Sequence, residues 1–338
     1  MRVSRSLALW VALAAALAAT ASAQEPAAAA PVAASAASSA GPADCPPDPA
    51  PVGADEVAAG MREATDSGLL WKATKDGRTS YVYGTIHIAQ RAWMFPGPRV
   101  LAAMRASDVV ALELDPTDPD ILARLQRSLA PTPGAPALPP PLAARLRAQM
   151  LAACIDPATL AGARPEMRAV TVEVMAGRRL GLQPAYGIDV FLAGLAKGLK
   201  KPVRSLETPE LQAALLVSDD PAETARTVDG LLDELEAGNS ERILGRLAGD
   251  WRRGDLADLT AYGAWCDCMD TPEQRADFVK LVDDRNGPMA DKIAQWHAQG
   301  KSLFVAVGSL HLVGDAGVPR LLRAKGFDVE RVVFGAAR

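Results

Sequence analysis

The chain has 338 residues, 49 % apolar and 22 % charged, and its 36 Lys and Arg against 40 Asp and Glu leave a formal charge of −4. That near balance leaves no basic footprint for nucleic acid, and no stretch of the body is apolar for long enough to span a bilayer. Three His and four Cys cannot build many zinc-ribbon clusters, and any imidazole chemistry falls to His87, His297 or His311.

At the amino end, Arg2 and Arg5 precede an apolar run from Leu7 to about Leu17, followed by Ala21-Ser22-Ala23. A charged start, a short apolar middle and a small-x-small end form a secretory signal over 1–23, too short to be a membrane span. Residues 24–52 are nearly all Ala, Pro and small polar types. Such a stretch buries too little to offset its ordering entropy and reads as a flexible tether. The folded domain is then expected over 53–338, in a protein that is periplasmic or secreted, with no membrane span once the signal is cut. In an oxidising compartment Cys45, Cys154, Cys266 and Cys268 point to disulfides rather than a thiolate metal site. Three pairings are open. Cys266 and Cys268 stand too close for an unstrained bridge to each other, so each is expected to have a more distant partner.

Along the body, Tyr81-Val82-Tyr83 reads as a short strand closing on Gly84. Pro98 to Ala106 has helical spacing, with Val100, Leu101 and Met104 on one side, and Val109–Leu112 is a buried strand closing on Glu113. The Pro-rich stretch from Pro131 to Pro141 reads as loop, since proline cannot continue a helix interior. Lys201 to Leu206 is a candidate short strand leading to Glu207. Thr227–Ala237 and Ser240–Trp251 carry apolar residues at i, i+3, i+4 and i+7, the pattern of amphipathic helices. Met289, Ile293 and Trp296 mark another helix whose apolar face excludes His297, read as a surface residue. Arg285-Asn286 stands just before Pro288 and suits that helix's first turn. On local grounds alone the pair is an N-cap with a solvated Arg. Leu303–Val307 is a strand closing on Gly308, Val318–Lys325 a helix, and Val329–Phe334 the last strand.

Two of these units match. Gly84-Thr85-Ile86-His87 and Gly308-Ser309-Leu310-His311 each follow the first strand of a β–α–β pattern. The expected fold is therefore α/β: a central mixed sheet built from two β–α–β halves, each carrying a Gly-x-x-His motif, with a helical insertion between them. In open α/β sheets ligands bind outside the carboxyl ends of the strands, where His87, His311, Glu113 and Glu207 all fall. Two imidazoles and a carboxylate suit a divalent metal, which makes a nucleophile of water near neutral pH. A second carboxylate would act as general base and an Arg would steady the oxyanion. The bland reading of Glu113 is an acid in solvent at a strand end. No Gly-x-Ser-x-Gly and no His-Glu-x-x-His occurs, which removes the serine α/β-hydrolases and the ordinary zincins.

The paired His motifs with Glu113 between them resemble the TraB/PrgY/GumN family, which includes the Tiki metalloproteases. Leu69-Leu70-Trp71-Lys72, Tyr186-Gly187-Ile188-Asp189-x-Phe191, Leu206-Glu207-Thr208-Pro209-Glu210-Leu211-Gln212, and Arg285-Asn286 followed by Met289-Ala290 occur in the same order. The likeness runs from about Ser67 to about Val333. It implies a fold shared with erythromycin esterase and ChaN-like proteins, and metal-dependent peptide hydrolysis supported by manganese or cobalt; imidazole chemistry adds zinc. Carried over by position, His87, His311 and Glu113 become the metal or catalytic core. Glu207, Arg285 and Asn286 become its supporting acid, cation and amide, and Asp189 an orienting group. The leading expectation is an exported metal-dependent hydrolase acting on a peptide or small molecule. The alternatives are a non-catalytic peptide- or haem-binding protein, and an esterase that uses His and Glu without an ion.

Overall fold

A computed structural model describes residues 45–334. The expected signal segment and most of the expected tether lie outside them. Six strands form one mixed sheet: β1 (Leu70–Lys75), β2 (Arg78–Thr85), β3 (Val109–Leu112), β4 (Val203–Ser205), β5 (Leu303–Gly308) and β6 (Asp328–Val332). Their spatial order is β4-β3-β5-β2-β1-β6. Strands β2, β5, β3 and β4 run parallel, while β1 is antiparallel to both of its neighbours.

Strand β1 is an addition to the sequence expectation. It forms a hairpin with β2 around Asp76 and Gly77, both at positive φ (51° and 72°), the backbone that matches a two-residue turn to strand twist. The two β–α–β units also interleave rather than lying side by side, because β5 inserts between β2 and β3 and β6 pairs beyond β1. That arrangement sets the two His motifs on adjacent strands, with Gly84 opposite Val307 and Thr85 opposite Gly308.

Helix α1 (Ala54–Glu63) precedes the sheet and α2 (Pro98–Ala106) links β2 to β3. The insertion runs through α3 (Pro119–Leu129), α4 (Pro140–Ala152), α5 (Pro165–Met175) and α6 (Ile188–Gly198) to β4. It continues through α7 (Pro209–Leu216), α8 (Pro221–Glu236), α9 (Asn239–Arg253), the short α10 (Leu256–Thr260) and α11 (Tyr262–Trp265), and α12 (Pro272–Phe278). A π-helical turn, Val279–Asp283, joins α12 to α13 (Asp284–Ala298), and α14 (Val318–Ala324) lies between β5 and β6. Proline opens many of these helices because the first turn needs no N–H from it; Asp118, Thr208 and Asp220 then cap α3, α7 and α8 through side-chain oxygens. The Pro-rich loop accordingly ends at Pro139, and Pro140 starts α4.

Alternation along the strands splits the core between the two faces of the sheet. Trp71, Val82, Val305 and Val307 meet Met289 and Ile293 of α13 and Leu322 of α14. Leu70, Tyr83, Phe304 and Ala306 meet Val100 and Met104 of α2, Leu192 of α6 and Trp251 of α9. Every residue of β5 is buried, as its uninterrupted apolar run requires of a central parallel strand. Among the described residues no helix is long and apolar enough to cross a membrane.

Three local expectations are corrected. His297 is buried, 1 % exposed, with Nδ1 2.9 Å from Ser80 Oγ and Nε2 3.0 Å from the Lys75 carbonyl. It stands four residues after Ile293 and so continues the buried stripe of α13, and two polar neighbours satisfy its ring. Cys266 and Cys268 are bridged to each other and Cys45 to Cys154. Asp267 at φ 57° folds the chain back over a single residue. Arg285 and Asn286 are no solvated cap, because α12, the π turn and α13 run on without a break and both side chains are buried. Of the expected tether, residues 45–52 are described: Cys45 is tied to α4 through Cys154's bridge, and Pro46 and Pro47 offer their carbonyls to Arg178.

Candidate functional site

The carboxyl ends of β2, β3, β4 and β5 meet at one place, and Gly308 is its centre. A Cβ at Gly308 would stand 3.4 Å from Glu113 Oε1, 3.5 Å from His311 Cδ2 and 3.8 Å from His87 Nε2. The imidazoles of the two repeated motifs, 224 positions apart in the chain, therefore converge on one glycine. Gly84 plays a different part. Its bare Cα accepts Ser309 of the other motif, whose hydroxyl a Cβ there would meet at 2.6 Å and which donates to the Thr85 carbonyl at 3.0 Å. The two loops are locked together.

Glu113 follows β3 and is held on both oxygens. Oε1 accepts the Gly308 N–H at 2.7 Å, and Oε2 accepts from Arg285 Nη2 at 2.7 Å. Glu207, just past β4, is bound to Arg285 at both oxygens, Nε to Oε1 at 2.7 Å and Nη2 to Oε2 at 2.5 Å. Backbone pairing continues from the strands into this pair, since the Glu207 N–H donates to the Glu113 carbonyl at 2.9 Å. Arg285 reaches them from α13 and also donates to the Leu281 carbonyl in the π turn at 2.8 Å. One guanidinium thus bridges two buried carboxylates in fork geometry.

The two imidazoles are held differently. His311 Nδ1 is 2.7 Å from Asn286 Oδ1, while Nε2 has no hydrogen-bond partner and lies 3.8 Å from Glu113 Oε1. His87 Nδ1 is 3.1 Å from Asp189 Oδ1, an ion-pair contact that lacks hydrogen-bond alignment, and its Nε2 also has no partner. Burial, with Arg285 and His87 adding to it, holds His311 well below the usual imidazole range. Burial works against charge on His87 too, but Asp189 and Glu113 outweigh it and hold His87 above its ordinary value. Burial pushes Glu113 up against the pull of Arg285 and His87. For Arg285 the two carboxylates outweigh burial and raise it further. The site therefore holds one imidazole that favours its proton beside one that rejects it.

All seven sequence candidates fall here: His87, Glu113, Glu207, Arg285, Asn286 and His311 at the centre, and Asp189, at the start of α6, behind His87. Gln212 is an addition. Its Nε2 donates to Glu207 Oε2 at 2.8 Å and reaches Glu113 Oε2 at 3.4 Å. Its place five residues after Glu207, across the Thr208 cap and Pro209, is the signal that reveals it. The π turn leaves no such mark in the sequence.

As for a cation, among the described residues no group of three His, Cys, Asp or Glu is arranged to hold one. The observation that favours one is the pair of unpartnered, buried nitrogens, His87 Nε2 and His311 Nε2. Buried polar atoms normally find partners, and imidazole nitrogens are good donors to zinc and its neighbours. These two nitrogens are the donors that a divalent ion would meet here, since both Glu113 oxygens are already engaged by protein donors.

The sequence pattern of the TraB/PrgY/gumN family matches residues 69–331. Metalloprotease TIKI1 of Danio rerio is 25 % identical over 320 residues, covering 80 % of this chain and 64 % of the relative. The uncharacterized protein YbaP, from Escherichia coli (strain K12) and from Shigella flexneri, is 29 % identical over 157 residues, 46 % of this chain and 54 % of its own. The chain thus spans between about half and two thirds of the length of these curated relatives. No solved structure matches. A match that takes in all but the last residue of the sheet and every residue of the site shows that the chain belongs to the TraB/PrgY/gumN family.

Proposed function

We propose that the protein is an exported, metal-dependent hydrolase acting on peptides. One observation carries the reading: two buried imidazole nitrogens with no hydrogen-bond partner among the described residues stand beside Glu113 at the carboxyl ends of adjacent parallel strands. The likeness to a protein named as a metalloprotease supports it. Two disulfides among the described residues and the amino-terminal signal pattern support export.

His87 and His311 would hold the ion, and manganese, cobalt and zinc all suit their nitrogens together with nearby oxygen. Such an ion supplies Lewis acidity and makes water nucleophilic near neutral pH. The chain's own residues do the rest. Asn286 keeps the His311 ring in the tautomer that leaves Nε2 a lone pair. Asp189 orients His87 from behind. Arg285 and Gln212, which both donate to Glu207 and to Glu113 Oε2, keep Glu113 fixed with its Oε1 toward the two rings. Glu113, raised by burial, is suited to take up a proton and pass it to a leaving amine.

Metal content and peptide cleavage, measured on the wild type and on His87→Ala and His311→Ala, test this. Bound metal and cleavage in the wild type, both lost in the variants, are expected. No bound metal, or cleavage unchanged in both variants, overturns the reading. A second reading, a metal-independent esterase, draws on the opposite shifts of His87 and His311, which push one ring toward acid and the other toward base. Ester cleavage that survives a chelator would favour it.

A further inference from the structure

Beside the two His rings lies a small pocket of about 70 Å³. Thr85, His87, Gly308, Ser309 and His311 form its floor, and its walls are aliphatic, Ile86, Leu244, Leu247, Ala248, Val282 and Leu310 among them. Three of the walls come from one face of α9, where Leu244, Leu247 and Ala248 fall at i, i+3 and i+4. Ile86, Leu247 and Leu310 are half-buried, so the pocket has a mouth, while Leu244, Ala248 and Val282 close its depth. Apart from its floor it is aliphatic, with no charged wall and no aromatic ring.

We infer that this pocket is a specificity pocket, which takes a branched aliphatic side chain of the substrate, valine or leucine in size, next to the bond that the site cuts. The inference rests on the hydrolase reading only for the cutting. Size argues for the occupant: a cavity of about 150 Å³ accommodates benzene, and half of that suits an isopropyl or isobutyl group and excludes an indole. Chemistry argues for it as well, since a charged side chain would find no partner among the aliphatic walls. The floor argues for continuity with the reacting groups, because the two rings that converge at Gly308 are also pocket residues. Thr85 adds a further polar contact: its hydroxyl is buried with no partner, and a substrate main-chain amide seated above the pocket would supply one. Nothing in the reaction itself requires an apolar recess at this place, so recognition of a side chain accounts for it.

The experiment is a peptide library cleaved by the metal-loaded full chain and read by mass spectrometry, with Ala248→Leu filling the pocket and Leu310→Ala widening its mouth. Valine or leucine at one position flanking the cut is expected to exceed aspartate, lysine and tryptophan by about tenfold or more in kcat/KM. Ala248→Leu should move that preference to glycine and alanine while glycine peptides are still cut; Leu310→Ala should admit phenylalanine. Cleavage without an aliphatic preference, or a preference that neither variant moves, overturns the pocket while leaving the hydrolase reading in place. If the wild type cuts no peptide with any metal, the hydrolase reading falls. The pocket is then tested by NMR titration with N-acetyl-leucinamide against N-acetyl-glycinamide. Tighter binding of the leucine amide, lost in Ala248→Leu, supports it, and equal binding of the two amides overturns it.

Discussion

His311 and Asn286 are joined by a hydrogen bond of 2.7 Å, and its direction decides which imidazole nitrogen is left over. The Asn286 oxygen only accepts, so Nδ1 carries the proton and Nε2 keeps a lone pair. Burial, Arg285 and His87 hold this ring below the ordinary imidazole range, so it is neutral at neutral pH.

Asn286→Asp places a carboxylate against that ring and favours its charged form, raising its pKa. The neutral fraction then falls first at low pH. The acid limb of the pH–rate profile is expected to move upward by about one unit, so the loss approaches tenfold only on that limb, below the wild-type value, and vanishes toward neutral pH. An acid limb that stays where it is in the wild type would show that His311 is not the neutral group the reaction uses.

Arg285→Met removes the one cation between Glu113 and Glu207, both of which are buried. Breaking a buried ion pair from one side costs about 3–5 kcal/mol, since it leaves charge uncompensated. Adding Glu207→Gln to Arg285→Met should recover part of that loss, and the non-additivity measures the coupling. Urea unfolding of the two variants gives both numbers. A loss below about 1 kcal/mol for Arg285→Met would mean that water reaches the carboxylates.

How much of this was legible follows from the kind of signal each part leaves. The parallel core strands were visible because β3 and β5 are buried on both faces and read as apolar runs. The two His were visible because each stands at a fixed offset from a strand-ending glycine. Strand β1 was missed although Asp76-Gly77 is a strong hairpin pair, because its Lys72 and Lys75 break the apolar pattern. The burial of His297 and Arg285 was not legible, since each depends on partners more than 75 residues away: Ser80 for one, Glu113 and Glu207 for the other. Likewise the Cys266–Cys268 bridge needs the left-handed backbone of Asp267, a conformation aspartate adopts more readily than most residues.

The Cys45–Cys154 bridge spans 109 positions and fastens the segment ahead of α1 to the end of α4. Closing so long a loop in the unfolded chain removes much of its entropy. Cys45→Ser with Cys154→Ser is therefore expected to cost about 2–4 kcal/mol and to open residues 45–53 to protease. Cys266→Ser with Cys268→Ser removes a bridge that closes a loop of only one intervening residue, so its entropic effect is small. Unfolding curves for the two pairs under non-reducing conditions test the ranking, which an equal loss for both pairs would contradict.

Glu173 in α5 is 1 % exposed, with the Ser240 hydroxyl 3.4 Å from its Oε1 and the Glu234 carboxylate nearby. Burial, reinforced by Glu234, holds it well above the ordinary glutamate value of 4.5. The folded chain therefore keeps a proton that the unfolded chain releases above about pH 4.5, and stability falls as pH rises from there toward the folded value. Glu173→Gln removes the ionisation and keeps a group that the Ser240 hydroxyl can still meet. It should stabilise the protein at pH 8 by on the order of 1–3 kcal/mol, the scale of a buried polar group left short of partners. At pH 4 the change should be close to neutral. Urea midpoints at the two pH values decide this: a variant no more stable than the wild type at pH 8 would mean that Glu173 ionises at no cost inside the helical insertion.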